Sequence, residues 1–304
     1  MPALTMADPA TSNPSDITSN HMEMVAPSRS YDPAFAENDA NIVLQSSDGV
    51  YYRIPAYTLR TTSGFFRGMM TLPVSGKDQG DDGDVIVLDE ASEVLGTLFR
   101  MIGGLPFERW KSVDELDGIL IAAEKYDMPG PIATISINLT TFVFLEQPLK
   151  LYAIAARYGM EDAAKFISKY TLSLSIYDEQ HITCLERVST TYVLRLFLLH
   201  RKRREEFQKL ITSNKTLGVT NCYSCSDGYE GGALRGIAAL GQLMVSNIDL
   251  QPAGTDLLNG IWQTWPEASE RACNRRSCHV PVTHYQNTIT KSIANYIQLL
   301  TCTI

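Results

Sequence analysis

The chain has little cysteine for its length and no long apolar run. Six cysteines among 304 residues are too few for a disulfide scaffold. No stretch approaches the ~20 consecutive apolar residues that a membrane-spanning helix requires, and residues 1–20 lack the basic and apolar regions of a secretory signal. We therefore expect a cytoplasmic or nuclear protein, with no membrane partner, whose cysteines are reduced thiols or metal ligands.

Basic charge and catalytic motifs are also scarce. The net charge of −8 argues against general binding to nucleic acid. The sequence contains no G-x-S-x-G, H-E-x-x-H, P-loop or Rossmann glycine motif. Cys278 and His279 are adjacent, but neighbours in sequence seldom point at one substrate atom. We expect a protein that is not an enzyme.

The first structured stretch spans residues 41–70. A β-branched run at 42–44, a turn signal at Ser47–Gly49 and a second apolar run at 50–54 predict a β-hairpin. Pro55 suits the first turn of a helix. The apolar spacing that follows predicts two short helices broken near Gly64.

Further strand and helix patterns follow. Residues 85–88 read as a buried strand, and 94–102 as a helix stopped by Gly103 and Gly104. Ser112 and Glu115 form a capping box, which predicts reciprocal bonds between each side chain and the other residue's amide. The segment 132–145 favours a helix, although its Thr and Ile content leaves a strand open. From Pro148 onward the patterns predict helices only: a helical hairpin with helices at 149–156 and 163–174, and further helices at 189–211, 233–245 and 283–300.

Four segments carry a resemblance to a known family: NIVLQSSDGVYYRIPAYTLRTTSGFFRGMM, VIVLDEASEVLGTLFRMI, SVDELDGILIAAEKYDMPG and LKLYAIAARYGMEDAAKFISKYTLSL. In this order they resemble the opening hairpin and helical hairpin, the third strand and its helix, the next helix and the trailing helical pair of BTB/POZ proteins. More narrowly, they resemble the BTB-containing proteins common in mushroom-forming (basidiomycete) fungi. The match covers roughly residues 39–174.

The resemblance implies an α+β protein with a BTB/POZ fold, which is a small, mostly N-terminal sheet capped by helical hairpins, followed by an all-helical C-terminal region. We expect a disordered arm at 1–38, the BTB/POZ domain at 39–146, a helical extension at 147–215 and a helical C-terminal domain at 216–304. The implied function is protein–protein interaction. Its expected forms are self-association as a homodimer and docking as an adaptor, including onto a cullin scaffold of a ubiquitin ligase.

Four residues at three sites depart from the family pattern. Family members usually carry Asp where this chain has Asn41, His-Lys or His-Arg where it has Pro55-Ala56, and Ser-Pro where it has Ser63-Gly64. In some members the Asp and the basic residue line a charged pocket for partner peptides. That pocket is expected to be largely neutral here, so co-repressor-type recognition is not carried over.

The interface candidates are the aromatic, leucine and methionine side chains of the opening stretch, because such residues are favoured in interface cores. A domain of this size must bury most of them in its own core, so we expect one or two to face a partner. The set is Tyr57, Leu59, Phe65, Phe66, Met69 and Met70.

A structural zinc site is the candidate metal centre. Cys222 and Cys225 form a C-x-x-C pair, and Cys273, Cys278 and His279 form a second cluster, separated from Cys225 by 47 intervening residues. Together they supply the four N or S donors of tetrahedral zinc, with His279 as the substitute ligand. Two other interpretations remain open, namely buried free cysteines and a redox-active pair.

The run His200–Arg204 is the only dense basic cluster. It is compatible with nuclear import or phosphate contact, but Glu205 and Glu206 follow at once and favour a solvated, ion-paired helix face. If the run does contact phosphate, the alternative function applies. The protein is then a nuclear transcriptional or chromatin regulator, in which this run or a zinc-stabilised C-terminal part contacts nucleic acid.

Overall fold

The computed structural model of the protein describes residues 29–37, 40–72, 85–141, 144–214, 217, 232–264 and 282–304. Within these ranges the chain is mostly helical and contains one small sheet, so the predicted α+β class is confirmed. None of the described helices combines the length and the apolar character needed to cross a membrane.

The sheet consists of β1 (Ile42–Gln45), β2 (Tyr51–Ile54) and β3 (Val85–Val87) in the order β2-β1-β3. β1 and β2 are antiparallel, with Gln45 opposite Tyr51, and β3 runs parallel to β1. The hairpin turn is closed by the amide of Ser46, which donates to Val50 O at 2.9 Å. The predicted hairpin is confirmed. The predicted third strand also forms, but it is not buried as expected, since Val85 and Ile86 are half-buried and Val87 is 66% exposed.

Helices surround this sheet in the first half of the chain. They are α1 Ala56–Thr62, α2 Gly64–Met69, α3 Ser92–Gly103, α4 Val113–Lys125 and α5 Pro129–Asn138. The helical interpretation of 132–145 is correct as far as Asn138. Beyond it the chain forms short 3-10 turns at Leu139–Thr141 and Phe144–Glu146.

The capping box at α4 forms in one direction only. The Ser112 hydroxyl accepts from the amide of Glu115 at 3.0 Å, as predicted. The Glu115 carboxylate, however, accepts from the amide of Lys111 at 2.6 Å, one residue before the predicted donor. The carboxylate thus satisfies an amide of the chain entering the helix, and the predicted bond to the amide of Ser112 is wrong.

The second half of the described chain is all helical. The helices are α6 Pro148–Arg157, α7 Glu161–Thr171, α8 Ile182–Leu185, α9 Thr190–Ser213, α10 Gly232–Leu250, α11 Thr255–Asn259, α12 Ile261–Thr264 and α13 Val282–Leu299. The five predicted helices correspond to α6, α7, α9, α10 and α13. The short helices α8, α11 and α12 were not predicted, because four or five residues show no apolar period.

Two clusters of buried apolar side chains organise the molecule. The first runs from Phe35 to Leu196 and includes residues of α6 and α7 as well as of the sheet region. The second runs from Phe207 to Leu300. The 24-residue helix α9 contributes to both, because Leu196 belongs to the first cluster and Phe207 to the second.

Residues 29–37 belong to the folded part, although the sequence predicted that the disordered arm extends to residue 38. Tyr51 in β2 donates to Ser30 O at 2.8 Å, and its carbonyl accepts from the amide of Asp32. Asp32 also pairs with Arg100 at 2.8 Å, and Phe35 is buried in the first cluster. Isolated anchors of this kind leave no periodic signal in the sequence.

Candidate interaction surface

The start of α1 is fixed by Asn41. Its side-chain oxygen accepts from the amide of Ala56 at 2.9 Å, one of the amides that a helix N-terminus leaves without an internal partner. Pro55 precedes α1 with no side-chain cap of its own. The resembled family carries opposite charges at positions 41 and 56. In this chain Asn41 caps the helix with its side-chain amide, and Ala56 has only a methyl group.

The start of α2 is fastened to the end of α4 by Ser63 and Gly64. The buried Ser63 hydroxyl accepts from the amide of Phe66 at 3.1 Å and donates to Tyr126 O at 2.6 Å. The amide of Gly64 donates to Asp127 O at 2.9 Å. A proline at position 64 could not make this bond because it has no N–H.

Gly64 also allows a close approach of the two segments. A Cβ atom at this position would overlap the Asp127 carboxylate. Asp127 itself has a left-handed backbone, with φ of 49°, which aspartate tolerates better than most residues. The departure from Ser-Pro to Ser63-Gly64 is thus matched by a specific contact between α2 and the end of α4.

Three aromatic rings form a cluster at this junction. Phe66 stacks on Tyr126 with centroids 5.5 Å apart, and Phe65 lies edge-on to Phe66 at 5.2 Å and to Tyr126 at 5.4 Å. Phe66 and Tyr126 are buried, whereas the ring of Phe65 remains 45% exposed. The exposed ring is therefore held in one orientation by the two rings beneath it.

Charged groups border the cluster. The hydroxyl of Tyr126 donates to Glu90, and Lys125 Nζ lies 2.8 Å from Glu90 and 2.9 Å from Asp89. Burial, followed by the bond to Glu90, raises the pKa of Tyr126, so its hydroxyl stays protonated. The hydrogen bonds to Glu90 and Asp89 raise the pKa of Lys125. The partly exposed ring of Phe65 therefore lies near the ion-paired side chains of Lys125, Glu90 and Asp89.

The six interface candidates divide into three groups. Leu59 and Phe66 are fully buried, Met69 and Met70 are half-buried against the first cluster, and Tyr57 and Phe65 are 68% and 45% exposed. The sequence also missed Leu72, which follows α2 and is 66% exposed; it begins a loop-like stretch and carries no helical signal. We define the α1–α2 surface by Tyr57, Phe65 and Leu72.

The basic run of α9 is divided between surface and interior. Arg201 pairs with Glu205 at 2.7 Å, Lys202 with Glu206 at 3.8 Å and Arg204 with Asp249 at 3.6 Å. These three cations fit the predicted solvated helix face.

His200 and Arg203 do not fit that prediction, because both are buried. The Arg203 guanidinium donates to the carbonyls of Pro252, Leu300 and Thr301. His200 Nε2 lies 3.3 Å from the Thr171 hydroxyl. Burial and, to a lesser extent, the charge of Arg203 lower the pKa of His200 to about 4. Two of the five residues of the basic run are therefore buried in the interior.

The zinc hypothesis falls on Cys222, Cys225, Cys273, Cys278 and His279, which all lie outside the described residues, so it stays a prediction. Within the described ranges, no group of three or more His, Cys, Asp or Glu side chains is placed to hold a metal ion.

Comparison with known proteins adds no relative: no protein-family model matches the chain, and no curated protein gives a significant match.

Proposed function

We propose that the chain is a protein–protein interaction module of the BTB type, not an enzyme, and that it self-associates through the α1–α2 surface. The observation that supports this proposal most is the exposure of Tyr57 and Phe65 on a hairpin whose backbone is fixed at both helix starts. Exposed aromatic side chains held in place by a rigid scaffold are typical of interface anchors.

The fold topology adds support to the proposal. A two-stranded hairpin leads directly into a helical hairpin, and a third strand then pairs in parallel with β1 before the next helices. This order agrees with the one that the resemblance to BTB/POZ proteins implies. Because proteins of that family act by self-association or adaptor docking, the surface that remains apolar is the natural candidate for contact.

Sedimentation velocity over a concentration series tests self-association. We expect the wild-type chain to form a dimer, and Tyr57→Ser with Phe65→Ser to raise the dissociation constant by about tenfold or more, as truncation of interface anchors does. Ile137→Ser is the matched control, because Ile137 is 76% exposed on α5 and lies outside the α1–α2 surface.

A monomer at every concentration would overturn self-association and leave adaptor docking as the remaining form of the proposal. A pull-down with a purified cullin scaffold then decides. Retention that the double variant abolishes and Ile137→Ser preserves supports docking through the α1–α2 surface. Absence of both a dimer and cullin retention contradicts the proposed function.

The nuclear-regulator hypothesis has less support, because Arg201, Lys202 and Arg204 have carboxylate partners and Arg203 is buried. It requires salt-dependent retention on DNA that weakens when the three exposed cations are neutralised.

A further inference from the structure

A cavity of about 280 Å³ lies between α4, α6 and α8, and none of its lining residues belongs to the α1–α2 surface. Its apolar lining comes from the buried side chains of Val113, Ala153 and Ile154. Ala153 leaves room where a larger side chain would fill the space between α4 and α6. The volume is at the small end of the range for ligand pockets, so the cavity is suited to a small molecule or a single side chain.

Charged pairs link α4 to α6 along the cavity. Lys150 Nζ lies 3.1 Å from the Asp114 carboxylate, and Arg157 pairs with Asp117. The Asp114 carboxylate is 78% exposed, so solvent weakens its hold on Lys150. The Arg157–Asp117 pair is less exposed. Lys150 is therefore more available than Arg157 to bind an added anion.

A second cation lines the cavity from the segment after α8. Arg187 has no carboxylate partner among the described residues. Thr183 and Cys184 also line the cavity, and both Lys150 and Arg187 are close enough to Cys184 to favour its thiolate electrostatically, although burial outweighs them and raises the pKa of the thiol. We call Lys150, Thr183, Cys184 and Arg187 the cationic corner.

We propose that the cationic corner binds the carboxylate of a small ligand whose apolar part lies over Val113, Ala153 and Ile154. The cavity is lined by three cations and two carboxylates, so one positive charge is left for an anion. Two side-chain cations with a hydroxyl and a thiol beside them supply several donors to one anionic group. An apolar lining next to such donors is the usual arrangement of a small-molecule site.

The alkylation rate of the Cys184 thiol can be used to probe the cationic corner. Iodoacetate and iodoacetamide alkylate the same thiolate: the sulfur attacks the CH₂ carbon, iodide leaves and the thiol proton passes to solvent. Only iodoacetate carries a carboxylate. The ratio of the two rates therefore reports attraction of the anion and cancels any change in the thiolate fraction. Peptide-level mass spectrometry of the full chain gives this ratio at Cys184, with the exposed Cys302 as an internal reference.

We expect Arg187→Gln and Lys150→Gln each to lower the iodoacetate-to-iodoacetamide ratio at Cys184 by about two- to fivefold, the size of a partly exposed charge interaction. The ratio at Cys302 should not change. Arg195→Gln is the matched control, because Arg195 is an exposed arginine that pairs with Glu161 outside the cavity. An unchanged ratio at Cys184 in both cavity variants would overturn the proposal.

The apolar part of the site has its own test. N-acetylleucine should slow alkylation of Cys184 by iodoacetamide, whereas N-acetylleucinamide, which lacks the carboxylate, should not. Ala153→Leu should remove this protection by filling the cavity. Equal protection by the acid and the amide, or protection that survives Ala153→Leu, would contradict the proposed site.

Discussion

The α1–α2 hairpin and the basic turn of α9 both alternate buried and exposed side chains, but they leave different surfaces. In the hairpin the buried Leu59 and Phe66 are apolar, and so are the exposed Tyr57 and Phe65. In the basic turn of α9 the buried residues are His200 and Arg203, and the exposed or partly exposed Arg201, Lys202 and Arg204 have partners in Glu205, Glu206 and Asp249. The exposed cations of the basic turn thus have carboxylate partners within the chain, whereas Tyr57 and Phe65 are left exposed by the part of the chain that the structure describes.

The largest expected effect is on the free energy of unfolding, and it should differ between substitutions of the two adjacent phenylalanines. Phe66→Ala removes a fully buried ring that stacks on Tyr126 and should lower the free energy of unfolding by about 3 to 5 kcal/mol. Phe65→Ala removes a ring that is 45% exposed and should cost clearly less. Urea denaturation measures both. Equal losses would break the division between core and surface in the hairpin.

Arg203 and Arg201 give the corresponding test in α9. Arg203→Met leaves the carbonyls of Pro252, Leu300 and Thr301 without their donor and should cost about 2 to 3 kcal/mol. Arg201→Met removes an exposed pair with Glu205 and should leave the free energy of unfolding almost unchanged, because solvent screens such a pair. The comparison fails if the two variants unfold at the same denaturant concentration.

His200 should make stability depend on pH. Its pKa is lowered from 6.5 to about 4 in the folded chain, so the unfolded chain binds more protons between these values. The stability that the neutral form provides is fully present above pH 6.5 and is lost as the pH falls toward 4.

Between pH 7.5 and pH 5 the loss from His200 should amount to about 2 kcal/mol. Urea denaturation of the wild type and His200→Gln at both pH values isolates this contribution, because glutamine does not titrate. A pH dependence that persists unchanged in His200→Gln would show that other groups cause it.

The smallest effect concerns the cap that orients the α1–α2 surface. Ser63→Ala removes the acceptor for the Phe66 amide and the donor to Tyr126 O, at a cost of about 1 kcal/mol. Thr61→Ala is the control, since Thr61 is exposed and bonds only to carbonyls of its own helix; it should change stability by less than about 0.5 kcal/mol. The thermal unfolding midpoint of Ser63→Ala should therefore be lower than that of Thr61→Ala. Coincident unfolding curves would contradict the stabilising role of Ser63.

The elements of the fold were largely predictable because they have strong local signals. The turn at Ser47–Gly49, the stop at Gly103 and Gly104 and the cap at Ser112 all act within a few residues. The packing of residues 29–37 against the sheet was not predictable, because it depends on contacts with Tyr51 and Arg100, which lie far along the chain. Local patterns carry no information about such contacts.

The candidate site was predictable in composition but not in orientation. Phe65 and Phe66 are identical in type and adjacent in sequence, and both rings contact Tyr126, yet only Phe66 belongs to the first buried cluster. In the same way, nothing in His200–Arg204 distinguishes the buried Arg203 from its neighbours until α9 meets the chain at Pro252 and Thr301. Tertiary contacts assign the roles in both cases.

Site-specific photo-crosslinking tests the proposed self-association most directly. With benzoylphenylalanine in place of Tyr57, the purified chain should give a covalent dimer whose crosslinked peptides map to residues 56–72, and the same probe in place of Ile137 should give none. A chain that forms no dimer through position 57 over the whole concentration series, or that crosslinks equally through position 137, would contradict an interface at the α1–α2 surface.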